Sequence, residues 1–123
     1  QKNAQLKFVC GPSVLSVAAG DTPLTRGLEV GRHLSIPVNH FEGNYTVDAV
    51  TLATLRAQDR IVFRYVNNPN GSMDDIAGVC NEARNVVGLM PHPERAAHEL
   101  LGSTDGRAMM EALVESASEP VLA

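Results

Sequence analysis

The apolar runs of this chain are short and strand-like, most are joined by turns, and the helical segments come late. That order constrains the fold more than any single residue does. A complete parallel sheet is built from repeated strand–helix–strand units, and no such repeat occurs here. Leu6 to Cys10 reads as a strand broken by Gly11-Pro12, and Val14 to Ala18 as a second strand. His33 to Val38 alternates apolar and polar residues, the pattern of a half-buried strand, with Pro37 pointing to an edge position or a bulge. Val47 to Ala57 carries Val50, Leu52 and Leu55 at helical spacing. Ile61 to Val66 is β-branched and aromatic, the clearest strand of the set. A dense turn signal, Asn67 to Ser72, separates it from a strand at Ile76 to Cys80. A hairpin-length loop then leads to a returning strand at Val86 to Met90. A helix is expected from Pro93 through Leu100, a break from Gly102 to Gly106, and a last helix from Arg107 to Ser116 with Met109, Leu113 and Val114 as its apolar face. Two organisations fit this inventory. One is a self-contained α+β domain; the other is the second half of an α/β domain.

Composition removes several function classes. The 123 residues are 44% hydrophobic and 20% charged, enough for one domain with a core. A net charge of −4 with no basic run argues against a nucleic-acid surface. No apolar stretch reaches membrane-spanning length and no signal-peptide layout is present. Cys10 and Cys80 are too few for a disulfide framework, so a reducing cytoplasm is the expected compartment. The chain begins with Gln1 and enters an apolar run within a few residues, which leaves open a start inside something larger. His33, His40, His92 and His98 show no metal-ligand spacing, and no glycine-rich phosphate loop is present.

The chemistry concentrates in Pro91-His92-Pro93-Glu94. Proline fixes its own φ and pushes the residue before it to extended geometry, so the His92 imidazole leaves its strand in a restricted direction with a carboxylate two residues on. A histidine oriented by a carboxylate is two thirds of a nucleophilic triad. It also fits a capping or buried structural histidine. The available thiols do not complete the triad. Gly78-Val79-Cys80 resembles the start of a nucleophile elbow, but Glu82 takes the final glycine position and a strand follows too soon for a helix. Cys80 is therefore a hairpin residue, and Cys10 a small core residue. His40 and Glu42 form a second polar cluster, either as ordinary loop residues or as part of the same cleft.

Three segments together give a resemblance: Pro37 to Tyr45, Val62 to Asn81, and Val87 to Ala96. In order and separation they resemble the glutaminase subunits of phosphoribosylformylglycinamidine synthase, a family of class I glutamine amidotransferases. The likeness runs from Phe8 to about Leu113, with Phe41 and Asn44 departing from the glycine and arginine usual there. It implies an α/β, flavodoxin-like fold, with residues 1–117 as the strand-rich C-terminal half of the domain and 118–123 as a loose tail. It implies a triad of cysteine, histidine and glutamate, with His92 and Glu94 as its last two members and the cysteine in a first half that these residues do not include. His40 and Glu42 would shape the glutamine pocket or a partner surface.

The reaction implied is hydrolysis of glutamine to glutamate and ammonia. Ammonia would pass to a synthase large subunit, alone or with a small accessory subunit, that makes formylglycinamidine ribonucleotide. ATP and magnesium would bind that partner, with no cofactor in this chain. A half alone is expected to be inactive, and an incomplete parallel sheet would leave an apolar edge prone to association. A non-catalytic module that docks to the synthase is the alternative.

Overall fold

The computed structural model describes residues 1–118. Five strands form one sheet: β1 (Val9–Val17), β2 (His33–His40), β3 (Ile61–Tyr65), β4 (Ile76–Cys80) and β5 (Val87–Leu89). Their order is β2-β1-β3-β4-β5, and every pairing is antiparallel. Helix α1 (Ala49–Ala57) connects β2 to β3, and α2 (Asp105–Ala117) ends the described chain. Among the described residues the sheet is antiparallel rather than parallel, and β5, paired with β4 alone, ends it.

Period-two patterning sets the sheet faces. Leu34, Ile36, Val38 and His40 of β2 turn inward while the residues between them are half-exposed. Their neighbours on β1 follow the same parity, with Leu15 opposite Leu34 and Ser13 opposite Ile36. The main core joins Leu15, Val17, Leu34, Ile36 and Phe63 to Ala96 and Met109 of the C-terminal segment. A smaller cluster of Leu55, Ile61 and Ile76 seats α1 against β3 and β4.

Several expectations are corrected. The predicted break at Gly11-Pro12 does not occur; β1 runs unbroken through it. Proline is tolerated there because β3 pairs β1 only from Leu15 to Val17, so Pro12 has a single neighbouring strand, where it faces Pro37. Leu6 to Phe8 lies outside β1, with Leu6 and Phe8 exposed. Cys10, expected in the core, is exposed, because Val9, Gly11, Ser13, Leu15 and Val17 hold the inward parity.

The helix expected from Pro93 to Leu100 is two short 3-10 turns, Pro93–Ala96 and Glu99–Leu101. Ala96 alone is buried in the first and nothing in the second, so a longer helix would have no apolar face to bury. Helix α2 starts at Asp105, inside the predicted break, and buries Gly106, Met109 and Ala112 while Leu113 and Val114 stay exposed. Of the predicted tail 118–123, Ser118 caps α2 and the rest lies outside the described residues. Among the described residues no helix is long and apolar enough to cross a membrane.

Phe63 is fully buried at the sheet centre. Truncating it to alanine is expected to cost about 3–5 kcal/mol by denaturant unfolding, through lost transfer energy and the cavity left behind. The exposed Val50→Ala should stay within about 0.5 kcal/mol.

Candidate functional site

Strand β5 is held to β4 by pairs from Gly78–Leu89 to Cys80–Val87, and the backbone N–H of Met90 continues the ladder to the Ala77 carbonyl at 3.1 Å. The chain then leaves the sheet at Pro91, which is buried. His92 takes φ −109° and ψ 88°, the extended geometry a following proline demands. Its backbone N–H donates to the Pro37 carbonyl on β2 at 2.8 Å. Pro93 opens the 3-10 turn, as the sequence predicts, and Glu94 sits in its first positions.

His92 Nδ1 and Glu94 Oε1 are 2.7 Å apart. A carboxylate accepts only, so Nδ1 carries the proton and Nε2 keeps a free lone pair. The ring is about one third exposed and the carboxylate 57% exposed, so the pair is open to a reactant. Burial works against the charge of Glu94. The carboxyl nevertheless lies below its ordinary value, because its own backbone N–H, the His92 bond and the charges of His92 and Arg95 outweigh burial. An imidazole with a fixed tautomer, backed by a carboxylate and presenting a basic nitrogen, can take a proton from a nucleophile and return it to a leaving group.

A family model of the CobB/CobQ-like glutamine amidotransferase domain matches residues 1–116. The chain belongs to this family. A phosphoribosylformylglycinamidine synthase subunit PurQ from Koribacter versatilis is 50% identical over 122 residues, covering 92% of this chain and 53% of the relative. The PurQ subunit of Lacticaseibacillus paracasei is 52% identical over 114 residues, covering 93% of this chain and 50% of the relative. A chain of the solved structure of PurLQS from Thermotoga maritima superposes with a TM-score of 0.82 at 41% identity, covering 95% of this chain and 51% of that one. This amidotransferase chain thus spans about half the length of the curated relatives it matches.

The other predicted residues separate. His40 is turned into the interior, 7% exposed. Its Nδ1 lies 3.1 Å from Asn3 Oδ1 and its Nε2 3.4 Å from Asn70 Nδ2, which assigns the proton to Nδ1. Asn3 also donates to the carbonyls of Lys7 and His40 and accepts from the Gly43 N–H. Asn70 donates to the Gly43 carbonyl and the Tyr65 hydroxyl, and accepts from Ser72. Burial pushes the Tyr65 phenol up to about 12 despite that Asn70 bond. Glu42, by contrast, is exposed. It lines a cavity of about 310 Å³ with Tyr45, Ala77, Val79, Gly88 and Met90, beside the strand that leads to His92.

Cys80 is buried at the end of β4, paired with Val87, in the hairpin setting the sequence predicts. Among the described residues no cluster of three His, Cys, Asp or Glu side chains could hold a metal. Sequence reasoning missed Asn3, Asn70 and Ser72. The turn signal at Asn67 to Ser72 marked their neighbourhood but not their inward direction.

Burial lowers the His40 pKa; a backbone bond raises it and the His92 charge lowers it further. The unfolded chain therefore binds a proton at His40 more readily than the folded one. Stability is full above about pH 6.5 and falls as the pH drops below it. Asp74, held near 2 first by its bond to Arg56, and Glu94 lose their contributions only at more acid pH. The Tm is expected to decline from pH 7.5 to 5.5, and His40→Gln should flatten that decline. Equal slopes for both proteins would reject the assignment.

Proposed function

We propose that His92 and Glu94 are the acid–base members of a glutamine-hydrolysing centre, and that these residues form the C-terminal half of its domain. The 2.7 Å His92–Glu94 bond carries the reading. The family match and the PurQ names of the relatives supply its direction.

In this mechanism a cysteine thiol, supplied by a segment outside these 123 residues, gives its proton to His92 Nε2. The thiolate attacks the glutamine amide carbon. The imidazolium, stabilised by Glu94, returns the proton to the departing ammonia, leaving a glutamyl thioester. His92 then takes a proton from water, hydroxide attacks the thioester, and glutamate is released with the thiol restored. Glu94 holds the tautomer and the charge and does not itself gain the proton. Glu42, at the cavity rim, would contact glutamine or a partner, and His40 would hold its loop.

The ammonia would pass to a synthase large subunit, alone or with a small accessory subunit. That partner would bind ATP and magnesium and convert formylglycinamide ribonucleotide to formylglycinamidine ribonucleotide, in the cytoplasm. The likeness to a chain of PurLQS from Thermotoga maritima supports this choice of partner.

The test is glutaminase turnover by the native polypeptide that carries these residues, assembled with its synthase. His92→Ala should lower kcat by about 10,000-fold or more, and Glu94→Gln by roughly 100- to 10,000-fold. Near-normal turnover by His92→Ala rejects the role. The 123 residues alone should release no glutamate; turnover that is lost on Cys80→Ala would relocate the nucleophile.

A further inference from the structure

Resting on that reading of the site, we propose that Asp105 is a positioning residue for the His92–Glu94 pair, clamping the Pro93–Ala96 turn to the edge of β2. The argument begins with what does not hold Glu94. Its side chain is 57% exposed, and among the described residues its side-chain hydrogen-bond partner is His92. With more than half of that side chain exposed, its aim depends on the backbone of the turn, whose Glu94 N–H also bonds the carboxylate.

That backbone is pinned on both sides to one strand edge. Before the turn, His92 N–H donates to the Pro37 carbonyl at 2.8 Å. After it, the Ser35 N–H donates to Asp105 Oδ2 at 2.7 Å, across 70 residues of sequence. Ser103 Oγ donates to the Ser35 carbonyl at 3.0 Å and accepts from the Asp105 N–H at 3.2 Å. Residues two apart on a strand present their backbone groups to the same edge, so Ser35 and Pro37 face the segment together. Pro37 has no N–H, which leaves no unmet donor there.

The start of the turn is fixed by contact. A Cβ at Gly106 would lie 2.0 Å from the Pro93 carbonyl oxygen, so α2 approaches the turn more closely than any side chain allows. Asp105 and Gly106 thus act as one device, a charge-assisted bond to the strand and a bare backbone against the proline. A carboxylate in the first turn of a helix is also favoured by the helix dipole. Here the strand bond and the dipole make different demands. The bond needs the short reach of aspartate and an acceptor oxygen. The dipole needs only negative charge.

The experiment compares Asp105→Ala, Asp105→Glu and Asp105→Asn in the native polypeptide with its synthase partner. It reads kcat and KM for glutamine and the His92 tautomer by nitrogen-15 NMR. A clamp predicts that Ala and Glu lower kcat by about 10- to 100-fold, leave KM within about twofold, and loosen the Nδ1–H preference of His92, because small misplacements of a catalytic group are costly. Asn, which keeps reach and acceptor, should stay within about threefold of the parent. Ser103→Ala serves as a milder probe with the same expected direction if Asp105→Ala does not fold. Retained kcat in Asp105→Glu with loss in Asp105→Asn would overturn the proposal in favour of a dipole role. So would an unchanged His92 tautomer and kcat in every variant. A parent without glutaminase turnover would defeat the proposed function, while the tautomer would still decide on the clamp.

Discussion

The outer edge of β2 is bonded to the segment that follows β5, and the arrangement of the rest depends on that closure. An edge strand presents unpaired N–H and C=O groups to solvent, a template for unwanted pairing. Here the Pro37 carbonyl takes the His92 N–H, the Ser35 N–H takes the Asp105 carboxylate, and the Ser35 carbonyl takes the Ser103 hydroxyl. One set of contacts hides a strand edge and holds a polar turn in place. It also brings Ala96 and Met109 over the inner face of the sheet, where they join the same core as Leu34 and Ile36. Core burial and site geometry are therefore coupled through β2.

A second constraint works from the other end of β2. His40 ends the strand on the inward parity, a position that asks for an apolar residue. Burying an imidazole is tolerable only when both nitrogens are satisfied. Asn3 and Asn70 do that, and each then satisfies backbone groups of the 40–45 loop. Gly43 completes the fit, since a Cβ there would meet the His40 ring at 2.4 Å. The loop that brings Glu42 to the cavity is thus fixed by the polar network beneath it. Network and edge closure thus both act through β2, one at His40 and the other at Ser35 and Pro37.

Much of this is legible in the sequence where a local rule decides. The alternation from His33 to Val38, the edge placement of Pro37 and the exit of His92 between prolines all follow from period and backbone chemistry. The failures arise where distant partners decide. Gly11-Pro12 reads as a break, yet the strand continues because its neighbour on one side is absent at that point. Cys10 looks like a core residue until the parity of β1 turns it outward. The helix expected after Pro93 gives way to two short turns because only Ala96 finds a place in the core, and that core is built from distant strands. The pairing of Ser35 with Asp105 spans 70 positions and has no local signature.

The same physics explains why the His92–Glu94 pair can be both open and ordered. A buried dyad would gain rigidity from packing but would pay in desolvation of the carboxylate, which burial already opposes here. An exposed dyad keeps Glu94 ionised near neutral pH and leaves Nε2 free to meet a reactant, but gives the side chains little to lean on. The fold resolves the conflict by placing rigidity in the backbone, through two prolines, a sheet edge and a helix start, and leaving the reactive atoms at the surface. That division keeps Nε2 within reach of a reactant while the turn that carries the pair is held from outside it.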